Sequence, residues 1–284
     1  MIILLGIFMV LGSILTGYYL AGGHMGVLWQ PNELLMICGA AMGAFMISTP
    51  GNVIADTGRA LARLFKTNSA KKEKFIEILI MTFKVFSALR KGEMKDFEEI
   101  LLYPENADFF KQFPSIYKDK NLMVFFSEMV YSNFLIKKSN PSEVKNYVGA
   151  NLKSRSREAL RPAEALSNLA DGLPGFGIVA ATLGIVVTMG EIDQGAAVVG
   201  HHIAAALIGT FLGIFLAYGL VGPLAKKVQF QVEEEHDFYV CIEECLLDAA
   251  QQHAPMVLVE RGRNAIPPVY RPGYSEMEMA IKEF

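Results

Sequence analysis

The side chains best placed to do chemistry are a few hydroxyls set in two long apolar runs. Thr182 and Thr188 lie in Leu173–Met189, and Thr210 and Tyr218 lie in Ile203–Leu224. Neither run contains Asp, Glu, Lys or Arg, and each approaches the roughly 20 residues a helix needs to cross a hydrocarbon core. A hydroxyl there either bonds a backbone carbonyl one turn back or lines a path for an ion. Thr210 and Tyr218 are eight residues apart, on the same side of their helix and two turns from each other. An ion path also needs a group that binds and releases the ion, typically a buried carboxylate. None stands in mid-span: Asp171 is at one edge, and Glu33, Glu191 and Asp193 belong near the opposite face. If the chain conducts ions, a partner must bring the carboxylate. Without such a partner it reads as a membrane scaffold.

Other chemistries fail on spacing. Cys241 and Cys245 are four apart on an expected helix, but no second ligand pair stands beside them, so ordinary reduced thiols are expected rather than a metal site. His201 and His202 are adjacent and face apart on a helix, which suits an interfacial pair better than ligands. The glycines from Gly172 to Gly177 lead into a span rather than from a strand into a helix, so they form no phosphate-binding loop. No Ser, His and Asp arrangement suggests a nucleophile. The expectation is no catalytic residue, no metal, no cofactor and no enzymatic activity.

The elements that must position these hydroxyls are membrane helices. The chain has 284 residues, 52% of them apolar, with a mean hydropathy of +0.32, which indicates an integral membrane protein. A net charge of −3 implies no nucleic-acid partner. Residues 1–58 and 162–225 contain no Lys or Arg, residues 59–161 contain 20, and residues 226–284 contain six. Basic segments stay cytoplasmic, so the spacing predicts four parts. These are a transmembrane hairpin over 1–58, a helical cytoplasmic loop domain over 59–161, a second hairpin over 162–225, and a cytoplasmic helix and tail over 226–284. Both termini are expected on the cytoplasmic side of the membrane. The fold class is all-α, multi-pass, with four transmembrane helices.

Ile2–Leu20 is read as a retained first span, because it lacks the basic start of a signal peptide. Trp29 suits an interfacial anchor. Leu34–Val53 is the second span, with Gly39, Gly43 and Ala44 for close packing. Helices are expected over Phe75–Leu89, ended by Gly92, and around Phe97–Leu101. Others are expected after Asn140-Pro141-Ser142, over Val228–Gln252 and over Ser275–Phe284. Ala205, Gly209, Gly213 and Ala217 make a small-residue ridge, matched by Gly177, Ala181, Gly184 and Thr188. In lipid such ridges let helix backbones approach. Pro174 and Pro223 fall at opposite ends of successive antiparallel spans, hence at one membrane face, where each either ends a helix or kinks it.

Ala170–Gly190 (ADGLPGFGIVAATLGIVVTMG) and Ala204–Ala225 (AAALIGTFLGIFLAYGLVGPLA) closely resemble the MotA-type stator subunits of the flagellar motor. Those subunits belong to the MotA/ExbB/TolQ proton-channel family. The resemblance extends to Gln30-Pro31, Gly39-Ala40-Ala41, the large loop and Arg271-Pro272. It implies a homopentamer around a dimer of MotB, whose span carries the ion-binding Asp, with ion flow driving the rotor protein FliG. Pro174 and Pro223 resemble the family's coupling prolines, Thr210 and Tyr218 its conduction-pathway residues, and Arg90 and Glu98 its rotor-binding charged pair. The small-residue ridges would then pack against neighbouring subunits and the central partner. Sodium-driven relatives place threonine at Ala181; alanine there implies H⁺ as coupling ion. ExbB- and TolQ-type energisers have one span before the large loop, whereas this chain has two. An energiser of that type and a non-conducting scaffold are the competing readings.

Overall fold

The computed structural model describes residues 2–65, 71–92, 94–136, 140–191, 193 and 195–283. All regular structure among them is helical. In chain order the helices are α1 (Ile2–Leu20), α2 (Met25–Leu28), α3 (Pro31–Ser48), α4 (Gly51–Leu64), α5 (Lys71–Lys91), α6 (Met94–Leu102) and α7 (Asp108–Lys111). They continue as α8 (Pro114–Lys118), α9 (Lys120–Val130), α10 (Pro141–Gly190), α11 (Ala196–Ile214), α12 (Gly222–Ala250), α13 (Pro255–Ala265) and α14 (Tyr274–Glu283). A π-helical stretch, Phe215–Val221, joins α11 to α12. Among the described residues four helical segments are long and apolar enough to cross a membrane: Ile2–Leu20, Met25–Ser48, and windows within Pro141–Gly190 and Val198–Ala250. The chain is an all-α, multi-pass membrane protein. The predicted last helix is observed as Tyr274–Glu283, and Phe284 lies outside the described residues.

The chain divides into two compact units, Met1–Lys66 with Leu160–Gln231, and Thr67–Ala159 with Val232–Phe284. In the first unit, α1 buries no side chain: Phe8 and Leu20 are largely exposed, as suits a helix solvated by lipid rather than by water. The second span starts and ends earlier than the sequence suggests. It stops at Ser48, and Thr49 is extended because a residue before proline avoids helical geometry. Pro50 then starts α4, so Val53 belongs to that amphipathic helix and is buried in it. The packed row of α3 is Glu33, Ile37, Ala41 and Phe45, each four residues from the last. Gly39 and Gly43 lie off that row, and a methyl on either would meet nothing within 4 Å. The expectation that they serve close packing fails within this chain, because the bulkier row at four-residue spacing carries the contact.

The second unit has an aromatic core in which Phe75, Phe110, Phe113, Phe125 and Phe126 are fully buried. Phe75 packs on Phe238 at 4.5 Å between ring centroids, which ties α5 to α12. Glu77 caps α8: the backbone N–H groups of Ser115 and Ile116 donate to its Oε2 at 2.9 and 3.2 Å. Such groups have no partner within their own helix. Gly92, at φ +87°, takes the left-handed conformation that ends α5 at little steric cost. The tail joins this core through Leu258, Val259, Ile266 and Met277. Cys241 and Cys245 are free, buried thiols in it. Among the described residues no three His, Cys, Asp or Glu side chains cluster as a metal site.

Candidate functional site

The residues of the two inner spans meet along a seam where backbones nearly touch. A methyl on Gly213 would lie 2.7 Å from the Leu173 carbonyl oxygen and 2.9 Å from Gly177 Cα. One on Gly177 would lie 2.9 Å from the Gly209 carbonyl oxygen, and one on Gly209 would lie 3.4 Å from the Ala181 nitrogen. One on Gly184 would meet Ala206 Cβ at 3.1 Å. Small side chains permit this approach, and dispersion then holds helices that lipid does not drive together. The seam runs through Ala206, Gly209, Gly213 and Ala217, all buried; Ala205 is only half-buried, because the contact turns one residue along the helix at that end. Within this chain the two ridges pack on each other along this seam.

The candidate pathway residues distribute along this seam. Ala181 faces Gly209, next to Thr210, and both Ala181 and Thr210 are half-buried. Thr182 and Thr188 donate to the carbonyls of Ile178 and Gly184 at 2.8 and 2.7 Å, so those hydroxyls are satisfied on their own helix. Tyr218 is 70% exposed within the π-helical stretch. Neither proline ends a helix. Pro174 lies inside α10. Pro223 is the second residue of α12, directly after the π turn, where the Gly222 N–H donates to the Ala217 carbonyl. Proline brings no N–H and its ring crowds the carbonyl four residues back; a wider turn relieves both. Nor do the two prolines share a depth. The register set by Gly177 against Gly213, Ala181 against Gly209 and Gly184 against Ala206 puts Pro223 level with Ser167. That is seven residues from Pro174, about 10 Å at the helical rise.

One carboxylate enters the seam. Glu33, on α3, is 7% exposed. A methyl on Gly209 would meet its Oε2 at 2.9 Å, and one on Gly184 would meet its Oε1 at 3.5 Å. Gly184 lies six residues, about 9 Å, inside the Gly190 end of α10. The sequence places Glu33 at a membrane face because it stands in the first turn of α3; its side chain instead points inward. The signal that could have found it is the four-residue row Glu33, Ile37, Ala41 and Phe45. At the same end, His202 Nε2 and Glu191 Oε2 pair at 2.8 Å.

This architecture has relatives along nearly its whole length. Motility protein A of Salmonella typhimurium is 34% identical over 283 residues, covering 99% of this chain and 95% of the relative. Motility protein A of Escherichia coli matches with the same identity and coverage. Residues 4–93 match the motility protein A N-terminal model, and residues 118–239 the MotA/TolQ/ExbB proton channel family model. The chain belongs to the MotA/TolQ/ExbB proton channel family. Within that family it matches the motility protein A branch, whose N-terminal model covers both α1 and α3. The solved structure of C. jejuni MotAB shares its fold, with a TM-score of 0.72 at 20% identity over 94% of this chain and 95% of that one. The B. subtilis flagellar MotAB stator complex aligns with a TM-score of 0.66 at 21% identity over 98% of both chains.

The charged pair expected in the large loop lies in the second unit. Arg90 and Glu98 are both exposed, on the last turn of α5 and on α6, with the Gly92 turn between them. Arg90 also lines a cleft of about 390 Å³ with Phe134, Gln252, His253 and Pro255.

Proposed function

We propose that the chain is the ion-conducting, torque-generating subunit of a bacterial flagellar stator. The observation that carries this is the full-length match to motility protein A on a chain whose four spans include a Gly-to-Gly hairpin seam. In this reading five copies surround a dimer of a MotB-type partner, whose span supplies the ion-binding Asp. The basic loop, the tail and both termini lie in the cytoplasm, and the Gly190 end of the hairpin faces outward. The coupling ion is H⁺. Ala181 supports that choice, since a dehydrated Na⁺ needs several oxygen ligands at once and an alanine side chain offers none, whereas a proton needs only a carboxylate to bind it.

Ala181, Thr210 and Tyr218 line the path. Pro174 and Pro223 pass the change at the ion site into the cytoplasmic part, and the π turn before Pro223 is the local freedom in α11–α12 that such a movement uses. Arg90 and Glu98 present opposite charges to the rotor protein FliG. Each proton crossing releases about 2.3 kcal/mol per 100 mV of membrane potential, and that energy drives the rotation.

The test is proton influx in cells co-expressing the chain with its MotB-type partner after removal of the partner's plug segment, with and without Na⁺. Acidification independent of Na⁺ is expected. Influx only with Na⁺ overturns the coupling ion, and no influx through an assembled complex overturns conduction in favour of a scaffold.

A further inference from the structure

The Glu33 carboxylate is buried in the seam between α10 and α11, and its Oε2 has no hydrogen-bond partner among the described residues. What faces it is Gly184 from α10 and Gly209 from α11, with Ala181 and Ala206 closing the same seam. None of these side chains can donate a proton or carry a charge. Along these two elements the titratable groups nearest in sequence to those contacts are His202, four residues before Ala206 with His201 beside it, and Glu191, just past α10 and seven after Gly184; His202 and Glu191 pair with each other, and Asp171 is ten residues from Ala181 toward the other end. On its own helix the nearest is Cys38, half-buried and five residues on. A carboxylate placed without a partner in a membrane interior is costly, and this seam supplies no lysine or arginine to offset it. The cheapest counterion is the one the protein transports.

We propose that Glu33 is a proton-binding station of the channel, between the His202–Glu191 mouth and the level of Ala181 and Thr210. This rests on the stator reading above. The proton arriving from outside bonds a Glu33 carboxylate oxygen and gives the neutral acid. It then leaves to the next acceptor, the carboxylate carried by the partner's span, and Glu33 returns to its anionic form. No electron moves and no other bond changes. A glycine at position 209 is part of the same device, because any side chain there would occupy the space of the Glu33 Oε2 atom.

The experiment measures Na⁺-independent proton influx of the plug-deleted complex for wild type, E33Q and E33D, with co-purification of the partner as the readout of assembly. E33Q, which keeps size and hydrogen-bonding capacity but cannot exchange a proton, is expected to assemble and to lose influx on the order of 100-fold, the scale of a removed proton-transfer group. E33D is expected to conduct with a displaced pH profile. Influx of an assembled E33Q within about twofold of wild type overturns the inference, as does an E33D profile that coincides with wild type. If E33Q fails to assemble, E33D decides by the same criterion. Loss of assembly in both assigns Glu33 to packing and overturns the inference. A wild-type complex that does not conduct refutes the stator reading instead, so the two failures are distinguishable.

Discussion

Glu243 shows how one residue's setting becomes a pH-dependent stability. Burial pushes its carboxyl above the ordinary range, neighbouring Glu244 adds to that, and Lys145 opposes it. The folded state therefore favours the protonated acid. Its contribution is fully present below the ordinary carboxylate pKa and is lost as pH rises through the raised folded value, so at neutral pH an ionised Glu243 costs stability. Glu243→Gln is expected to raise the melting temperature at neutral pH by about 1–2 °C, a small gain because the group is only half-buried. The gain should vanish near pH 4, where wild type carries the neutral acid. Parallel melts of the detergent-solubilised chains across that range check it, and a gain that persists unchanged at acid pH would contradict the assignment. The Glu243 environment is invisible in sequence, where it sits in an acidic pair on an amphipathic helix and reads as a solvated face. A methyl on Gly149 of α10 would lie 3.5 Å from its Oε1, a contact that exists only once two distant stretches have packed.

At the scale of elements, the hairpin is held by glycine backbones in contact, and it tolerates no growth there. Gly213→Val would drive a branched side chain into the Leu173 carbonyl and Gly177 Cα. Neither is a flexible atom that can move aside. A loss of about 1–3 kcal/mol is expected, the usual cost of overpacking, and it should be read as lower thermal stability and faster proteolysis of the purified chain. Gly200→Ala is the contrast. It lies on α11 with nothing within 4 Å, and alanine favours the helix, so stability should be unchanged or slightly raised. The four-residue repeat of Gly209, Gly213 and Ala217 was legible because helical periodicity alone aligns it. The shift of the seam from Ala205 to Ala206 was not, since it depends on how α10 leans on α11. The same holds for the depth difference between Pro174 and Pro223: the positions of both are read from sequence, but the register between two helices comes only from their contacts.

At the scale of the whole molecule, charge is segregated: hairpins free of Lys and Arg, and a basic middle and tail. In the second unit Arg90 and Glu98 are exposed, on consecutive helices separated by the Gly92 turn, and the proposed contact with the rotor protein is tested there. Arg90→Glu and Glu98→Lys are each expected to reduce swimming speed several-fold, with partial recovery when the facing charge on the rotor protein is reversed as well. Swimming assays of the single and paired variants check this. A charge pair that acted only as a solvated helix face would leave swimming at wild-type speed.

The sequence by itself determined the class of the molecule: four apolar runs, the proline and glycine punctuation, the basic loop and the family. Each follows from local composition, because a residue's apolar character and its helical period do not depend on what it touches. The tertiary structure decided where α3 ends, which face of it packs, that both ridges close on each other within one chain, and that the Glu33 carboxylate turns inward. The reason is physical. Lipid makes every face of an apolar helix acceptable, so only the contacts between helices select one.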